Sequence, residues 1–159
     1  MILTKSFTMS RYQPVRIVPP ALFDRGTFQT LGSERRSAIA ADKGIATTLW
    51  GGIFIVEPGA KTGIHHHGKQ ETIAYALEGD CLVRWGESGE YCAAAHAGDF
   101  IHVPAWLPHM EINPSESHRF VWVVVRSTAT PIVVNLPENY WERGVDTSAF
   151  RTGELVAKI

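Results

Sequence analysis

The sequence predicts an all-β protein built as a small antiparallel barrel or sandwich. From Thr47 onward, short runs rich in β-branched and aromatic residues follow one another: TTLWGGIFIVEPG, ETIAYALEG, DCLVRWGE, FIHVP, HMEIN, RFVWVVVRS and PIVVN. Turns containing Gly, Pro, Asn or Ser bound each run. Almost no helical pattern separates the runs, and strands at such close spacing are typical of antiparallel β architectures.

Composition and charge indicate one globular domain of ordinary size. The chain has 159 residues, a hydrophobic content of 45% and a formal net charge of -1. This balance indicates no bias toward nucleic acid or anionic lipid, and no helix-turn-helix pattern is present. The longest apolar run, Phe120 to Val125, is far too short to span a bilayer. The N-terminus lacks a signal-like apolar stretch, so we expect a cytoplasmic protein whose translation starts at Met1 or Met9.

Three regions are expected along the chain. Residues 1–45 show little periodicity and form an N-terminal arm, partly extended, that we expect to contact a second subunit. Residues 46–136 form the barrel, and residues 137–159 form a C-terminal extension. The run VWVVV is apolar on both strand faces, which suits a strand covered by the core on one side and by another sheet or subunit on the other. We therefore expect a homodimer.

Two histidines and a glutamate in GIHHHGKQETIAYALEG indicate a metal site. His65 and His67 are two residues apart, and Glu71 follows four residues later. Side chains alternate along a strand, so all three could point to one side. Two imidazoles and a carboxylate are ligands for a divalent metal ion. His109, in GDFIHVPAWLPHMEIN, is the obvious further ligand.

Two gapped motifs resemble those of the cupin superfamily, whose barrels are double-stranded β-helices (jelly rolls). The first motif, G-x5-H-x-H-x3,4-E-x6-G, is matched from its left end by Gly59, His65, His67 and Glu71. The second, G-x5-P-x-G-x2-H-x3-N, is matched by Gly98, Pro104, His109 and Asn113, with Trp106 in place of the internal glycine. The resemblance covers about 55 residues and implies a jelly-roll barrel with short terminal extensions.

The first motif departs from the pattern at its right end. Seven residues rather than six separate Glu71 from Gly79, so Thr72 stands at the consensus distance from that glycine. Either a one-residue bulge re-aims the strand after Glu71, or the site rests on histidines alone. We favour Glu71 as the ligand, because its spacing from the histidines is allowed and a threonine is a poor ligand.

The resemblance implies one divalent metal ion held in a mouth of the barrel by His65, His67, Glu71 and His109. Imidazoles and a carboxylate suit Fe, Mn, Ni, Cu or Zn, and the sequence leaves the ion open. Four protein ligands on an octahedral ion leave two positions for substrate and O2 or water, whereas tetrahedral Zn would be nearly closed.

Other polar residues near the motifs are candidates for proton transfer and substrate binding. Glu111 lies two residues after His109 and would share its strand face, and Tyr75 lies four after Glu71, so we name these two as catalytic candidates. Three strand arginines could clamp an anionic substrate, although we expect each to point outward: Arg84, Arg119 and Arg126.

The sequence therefore predicts a metal-dependent cupin that acts on a small organic molecule, most plausibly a dioxygenase-type oxidoreductase. A redox-neutral sugar or keto-acid isomerase or decarboxylase would use the same residues with the metal as a Lewis acid. The competing hypothesis is a non-catalytic barrel that binds a small molecule.

Overall fold

Two antiparallel β-sheets make up almost the whole of the described chain. The computed structural model describes residues 14–27, 31–46 and 48–141. The prediction of an all-β fold is confirmed, since the described helical structure is one short 3-10 turn at Pro20–Leu22. Across the described ranges no helix combines the length and apolar character that a membrane crossing requires.

Eleven strands lie within the described residues, and the predicted runs from Trp50 onward all contain one. Their bounds are β1 Asp24–Thr27, β2 Ser33–Ile39, β3 Trp50–Val56, β4 His65–His66, β5 Thr72–Glu78, β6 Asp80–Trp85, β7 Tyr91–His96, β8 Phe100–Val103, β9 His109–Ile112, β10 Phe120–Arg126 and β11 Val134–Asn135. One sheet has the order β1-β2-β3-β10-β5-β8, and the other has the order β11-β4-β9-β6-β7. Within each sheet, strands that are distant in sequence therefore lie side by side, as β3 and β10 do.

The core fills the space between the two sheets. Strand β10 lies at the centre of the six-stranded sheet, in register with β3 from the Phe120–Val56 pair to the Arg126–Trp50 pair. Every second side chain of β10 faces inward, and the Trp122 ring packs 4.9 Å from Phe120 and 6.0 Å from Phe54, measured between ring centroids. Two of these aromatic residues, Phe54 and Trp122, line the inner cavity next to the candidate site.

The segment predicted as an N-terminal arm contributes two strands to the sheet. Strand β2 carries the consecutive charged residues Glu34, Arg35 and Arg36, yet it pairs with β3 from Ser33 to Ile39. The pairing is compatible with these charges because Glu34 and Arg36 form an ion pair of 2.7 Å, while the Arg35 guanidinium lies 5.7 Å from the Trp50 ring. Residues 1–13, and any dimer contact that they make, lie outside the described part of the chain.

The start of the predicted C-terminal extension covers the outer face of the five-stranded sheet. Trp141 is buried against an apolar cluster on that face, and its indole Nε1 donates a hydrogen bond of 3.0 Å to the Gly86 carbonyl. The Arg84 guanidinium lies 4.7 Å from the Trp141 ring, a cation–π distance. Residues 142–159 lie outside the described part of the chain.

The outer face of the six-stranded sheet exposes large apolar side chains. Four of them come from its β5, β8 and β10 strands: Ile73, Leu77, Phe100 and Val125. Such a face agrees with the expectation of a covering subunit, and the homodimer stays a prediction.

We predict that two glycines of the first motif differ sharply in their tolerance of a side chain. Both Gly59 and Gly79 adopt positive φ angles, 67° and 78°. A Cβ at Gly79 would lie 2.5 Å from the Arg119 carbonyl oxygen, whereas at Gly59 it meets nothing of the described chain within 4 Å. Gly59→Ala should therefore cost about 1–2 kcal/mol of unfolding free energy through left-handed strain alone. Gly79→Ala should cost about 1–3 kcal/mol more because of the clash. Urea unfolding of both variants checks this, and equal losses would contradict it.

Candidate metal centre

Three buried histidines converge where the two motifs meet. His65 lies in β4 directly opposite His109, the first residue of β9, and His67 follows β4 immediately. The ligand nitrogens of His65, His67 and His109 all lie within 4.8 Å of one another. The convergence that the sequence predicts for these three residues is therefore present in the structure.

Hydrogen bonds to the backbone fix the orientation and tautomer of each ring. In every case Nδ1 lies within hydrogen-bond distance of a carbonyl oxygen, which can only accept, so Nδ1 carries the proton and donates. The accepting carbonyls, in the order His65, His67 and His109, belong to Gly63 at 2.9 Å, Ile132 at 3.0 Å and Leu107 at 2.8 Å. Each neutral ring then has its lone pair on Nε2, the nitrogen that remains to face the cluster.

Two rings of the cluster, those of His65 and His67, are held in the uncharged form by their surroundings. Burial lowers the pKa of His65 to about 4. Burial and the nearby Arg126 guanidinium lower the pKa of His67 well below its ordinary value. The Nε2 atom of His109 has no hydrogen-bond partner within the described residues. Lone pairs that converge without protons between them are the arrangement that a metal cation stabilises.

The carboxylate of Glu111 lies beside the three histidines. Its Oε1 lies 3.6 Å from His109 Nε2, and its Oε2 lies 4.0 Å from His65 Nε2. The Thr62 hydroxyl donates to Oε2 at 2.6 Å. Burial by itself raises the pKa of Glu111, but the charge that His65 and His109 carry when protonated, the Thr62 hydrogen bond and Arg126 outweigh it and lower the pKa. Three imidazoles and an ionised carboxylate fit a divalent ion of the Fe, Mn, Ni, Cu or Zn type.

Glu71, the carboxylate favoured by sequence reasoning, does not join this cluster. Its side chain is exposed, and its Oε2 lies 3.9 Å from the imidazole of the exposed His102. The alternation that should bring Glu71 to the histidines is broken by a turn at Gly68, which has a φ of 55°. The Gln70 amide donates to the His67 carbonyl at 3.0 Å and closes that turn. Beyond the turn Gln70 and Thr72 face inward, so Glu71 faces outward.

Thr72 occupies the inward position that the motif reserves for a carboxylate. It is buried, and its Oγ1 has no hydrogen-bond partner within the described residues. The six-residue spacing from Thr72 to Gly79 was the signal for this placement. It outweighs the three-residue spacing from His67 to Glu71, which had favoured Glu71 as the ligand. Glu111 therefore supplies from β9 the carboxylate that β5 lacks.

Tyr75, the second catalytic candidate, faces away from the centre. Its β5 neighbours Ala74 and Ala76 are buried in the core, so strand alternation directs Tyr75 to the outer face. There its ring lies 4.8 Å from Phe100, its partner across the strand pair. This geometry excludes Tyr75 from direct proton transfer at the histidines.

Two cavities border the histidine cluster. The inner one lies between the sheets and has a volume of about 20 Å³, which suits one water-sized group. Its walls include His65, His67 and Glu111 together with the inner aromatic and arginine side chains. A larger cavity of about 500 Å³ lies between β7 and β8, and its walls include His109. Val103 belongs to the walls of both.

Arg126 is an inner-cavity residue that sequence reasoning expected to point outward. It is buried, its Nη1 donates to the Ile132 carbonyl at 2.8 Å, and its Nη2 lies 3.5 Å from His67 Nε2. Burial and the neighbouring Arg35 lower the pKa of Arg126 to about 9, so the group stays charged at neutral pH. Trp122 and Arg126 are four residues apart in β10, so strand alternation places both side chains on the inner face. The apolar residues on both faces of β10 concealed this pattern in the sequence.

The comparisons with known proteins agree with the fold and motifs. The family model described as a cupin domain matches residues 52–126. Residues 52–126 therefore match the cupin family, and the described strands form the expected double-stranded β-helix. No curated protein matches the sequence significantly.

Solved structures with the same fold include proteins of several kinds. The polyketide cyclase RemF from Streptomyces resistomycificus aligns with a TM-score of 0.65 at 21% identity, over 81% of this chain and 92% of that one. An uncharacterized double-stranded β-helix protein from Klebsiella pneumoniae subsp. pneumoniae MGH 78578 aligns at 0.60 and 14% identity, over 78% and 99%. The oxalate decarboxylase of Lactobacillus farciminis aligns at 0.63 and 19% identity, over 72% of this chain but only 33% of that one. At these identities the likeness establishes the fold.

We predict that the metal-free protein loses stability as the pH falls from about 7 to 4. Folded His65 binds its proton only below a pKa of about 4, whereas an unfolded histidine binds it below about 6.5. The unfolded state thus binds more protons in this window, which costs about 1.4 kcal/mol per pH unit for each such group. His65→Asn should reduce the slope of unfolding free energy against pH, while His118→Asn, at an exposed site, should leave it unchanged. Equal slopes in wild type and His65→Asn would contradict the assignment.

We predict that the two glutamates differ in their effect on metal affinity. Glu111→Gln should weaken metal binding about 10–100-fold, because it removes the negative charge beside two Nε2 atoms. Glu71→Gln should leave the affinity unchanged, because that side chain is exposed and directed away. Competition with a chelator measures both, and the reverse order would restore Glu71 as the ligand.

Proposed function

We propose that this chain is a metal-dependent cupin enzyme that acts on a small organic molecule, with dioxygenase-type oxidation as its reaction. The observation that carries the proposal is the set of three buried imidazoles whose Nδ1 atoms are all engaged by backbone carbonyls. Their Nε2 atoms converge on one point, and the Glu111 carboxylate lies beside them.

The number of donors supports an open rather than a closed site. Three histidine donors on an octahedral ion leave three positions for water, substrate and a second small molecule, with Glu111 beside them. A bound Fe, Mn, Ni or Cu ion would supply O2 activation there, and a bound Zn ion would supply Lewis-acid polarisation.

The chain surrounds this centre with an apolar wall. Trp50, Phe54 and Trp122 line the inner cavity, and they exclude bulk water from the side of the cluster that faces the core. Exclusion of water strengthens the electrostatic interactions in the cavity and protects reactive species from hydrolysis. The cavity between β7 and β8 is the larger space next to His109 and the natural route for an organic substrate.

Glu111 is the residue that can move a proton. Its carboxylate is ionised at neutral pH, so it can accept a proton from a substrate carbon or hydroxyl. Thr62 donates to Oε2, which leaves Oε1, 3.6 Å from His109 Nε2, as the oxygen that faces the reacting group. Tyr75 takes no part because of its outward direction.

The same carboxylate favours a second candidate function, a redox-neutral isomerisation or decarboxylation. A buried base beside a Lewis-acid site suits proton transfer next to a carbonyl group. This candidate differs from the first in one measurable property, because it consumes no O2.

Metal content tests the proposal first. Protein purified without a His tag or added metal is analysed by inductively coupled plasma mass spectrometry, with His67→Ala as the test variant and the exposed His118→Ala as its matched control. We expect about one equivalent of Fe, Mn, Ni or Cu in wild type and control, and loss of the metal in His67→Ala. An oxygen electrode then screens candidate substrates.

The outcomes separate the candidates. O2 uptake that requires His67 supports the dioxygenase, whereas turnover without O2 uptake supports the redox-neutral reaction. Failure to bind any metal after reconstitution would contradict both and leave a barrel that only binds a small molecule.

A further inference from the structure

Buried polar atoms that lack a hydrogen-bond partner within the described residues gather around the inner cavity. Three belong to cavity-lining side chains: Thr72 Oγ1, Trp122 Nε1 and Arg126 Nε. Buried polar groups in proteins are almost always paired, so several together need an explanation. The Trp50 indole behaves differently, because it donates to Ser37 Oγ at 2.9 Å.

The chemistry of these atoms defines what would satisfy them. The Trp122 indole nitrogen and Arg126 Nε can only donate, and the Thr72 hydroxyl can donate. A ligand that pairs with all three must present several acceptor lone pairs. A carboxylate does so, since its two oxygens offer about four acceptor positions.

The charge of the cavity also favours a carboxylate ligand. Arg126 is buried and makes no ion pair with a carboxylate within the described residues. The Arg35 and Arg126 guanidinium groups lie 5.7 and 5.6 Å from the same Trp50 ring, and Glu111 is the one acidic residue in the cavity wall. A divalent cation at the histidines would raise this positive charge further, and a buried charge without compensation is costly.

We propose that the inner cavity is a receiving site for a carboxylate group, held by Arg126, Trp122 and Thr72 beside the histidine cluster. The inference rests on the proposed function, because it makes the carboxylate the end of the substrate that enters next to the metal centre. The free volume of about 20 Å³ suits only a small group, so the cavity takes the carboxylate end of a ligand. A larger substrate places its carboxylate here and extends past Val103 toward the larger cavity.

The test uses formate, the smallest carboxylate, and formamide, its uncharged counterpart of nearly the same shape. Formate is titrated into metal-free, 15N-labelled protein, whose five tryptophans give five indole N–H signals in an NMR spectrum. Trp122→Phe identifies the Trp122 signal by its absence and keeps an aromatic ring in the core. We expect formate to shift this signal in a saturable way and formamide to bind at least about tenfold more weakly.

Matched variants assign the binding to these side chains. Arg126→Met removes the charge at similar length and should weaken formate binding at least about tenfold. Thr72→Val is isosteric and should weaken formate binding severalfold. It serves as the second test if Arg126→Met does not fold. Arg119→Met is the control, because Arg119 is exposed and pairs with Glu78 on the protein surface. Equal binding of formate and formamide, or unchanged formate binding in both Arg126→Met and Thr72→Val, would overturn the proposal.

Metal content of the same variants separates this inference from the proposed function. Arg126→Met should bind metal at least as well as wild type, because it removes a cation 3.5 Å from His67 Nε2. Metal binding without charge-selective formate binding overturns only the carboxylate site. Formate binding that depends on Arg126 in a protein that never binds metal overturns only the metal-dependent enzyme.

Discussion

The site depends on the hydrogen bonds that join three imidazole Nδ1 atoms to backbone carbonyls. Each bond fixes the ring plane and the tautomer, so the Nε2 lone pairs of His65, His67 and His109 converge before any ligand arrives. Two of the accepting carbonyls lie two residues before their histidines, and the third comes from Ile132, beyond β10. The barrel brings the three rings together because β4 pairs with β9 and because the Ile132 carbonyl accepts a hydrogen bond from His67.

Sequence reasoning identified the features that depend on short-range spacing, but it misplaced Glu71, whose direction depends on a turn. The strands from Trp50 onward and the three histidines follow from hydrophobic runs and gapped motifs. Strand β2 was hidden because three consecutive charged residues resemble a solvated arm, and its pairing with β3 is a long-range property. Glu71 was assigned by an alternation that the turn at Gly68 interrupts, and the signal for that change of direction was the six-residue spacing from Thr72 to Gly79.

The exchange of carboxylate position has a physical consequence for the cavity. With Thr72 at the inward position of β5, that wall offers a neutral hydroxyl, and the negative charge lies on β9 at Glu111. The side nearer Arg126 thus keeps its positive charge without an acidic partner within the described residues. A site with the glutamate on β5 would instead place the negative charge on that wall.

The Ile132 backbone connects the loop after β10 to the centre in three ways. Its carbonyl accepts from His67 Nδ1 and from Arg126 Nη1, and its amide donates to the Gln70 side chain. All three contacts use main-chain atoms of Ile132, so they place no requirement on the side chain at this position. They do constrain loop length and the N–H group, because an insertion would move the carbonyl away from a ring and a guanidinium together, and a proline would remove the bond to Gln70. Selection on this loop should therefore act on its path rather than on its residues.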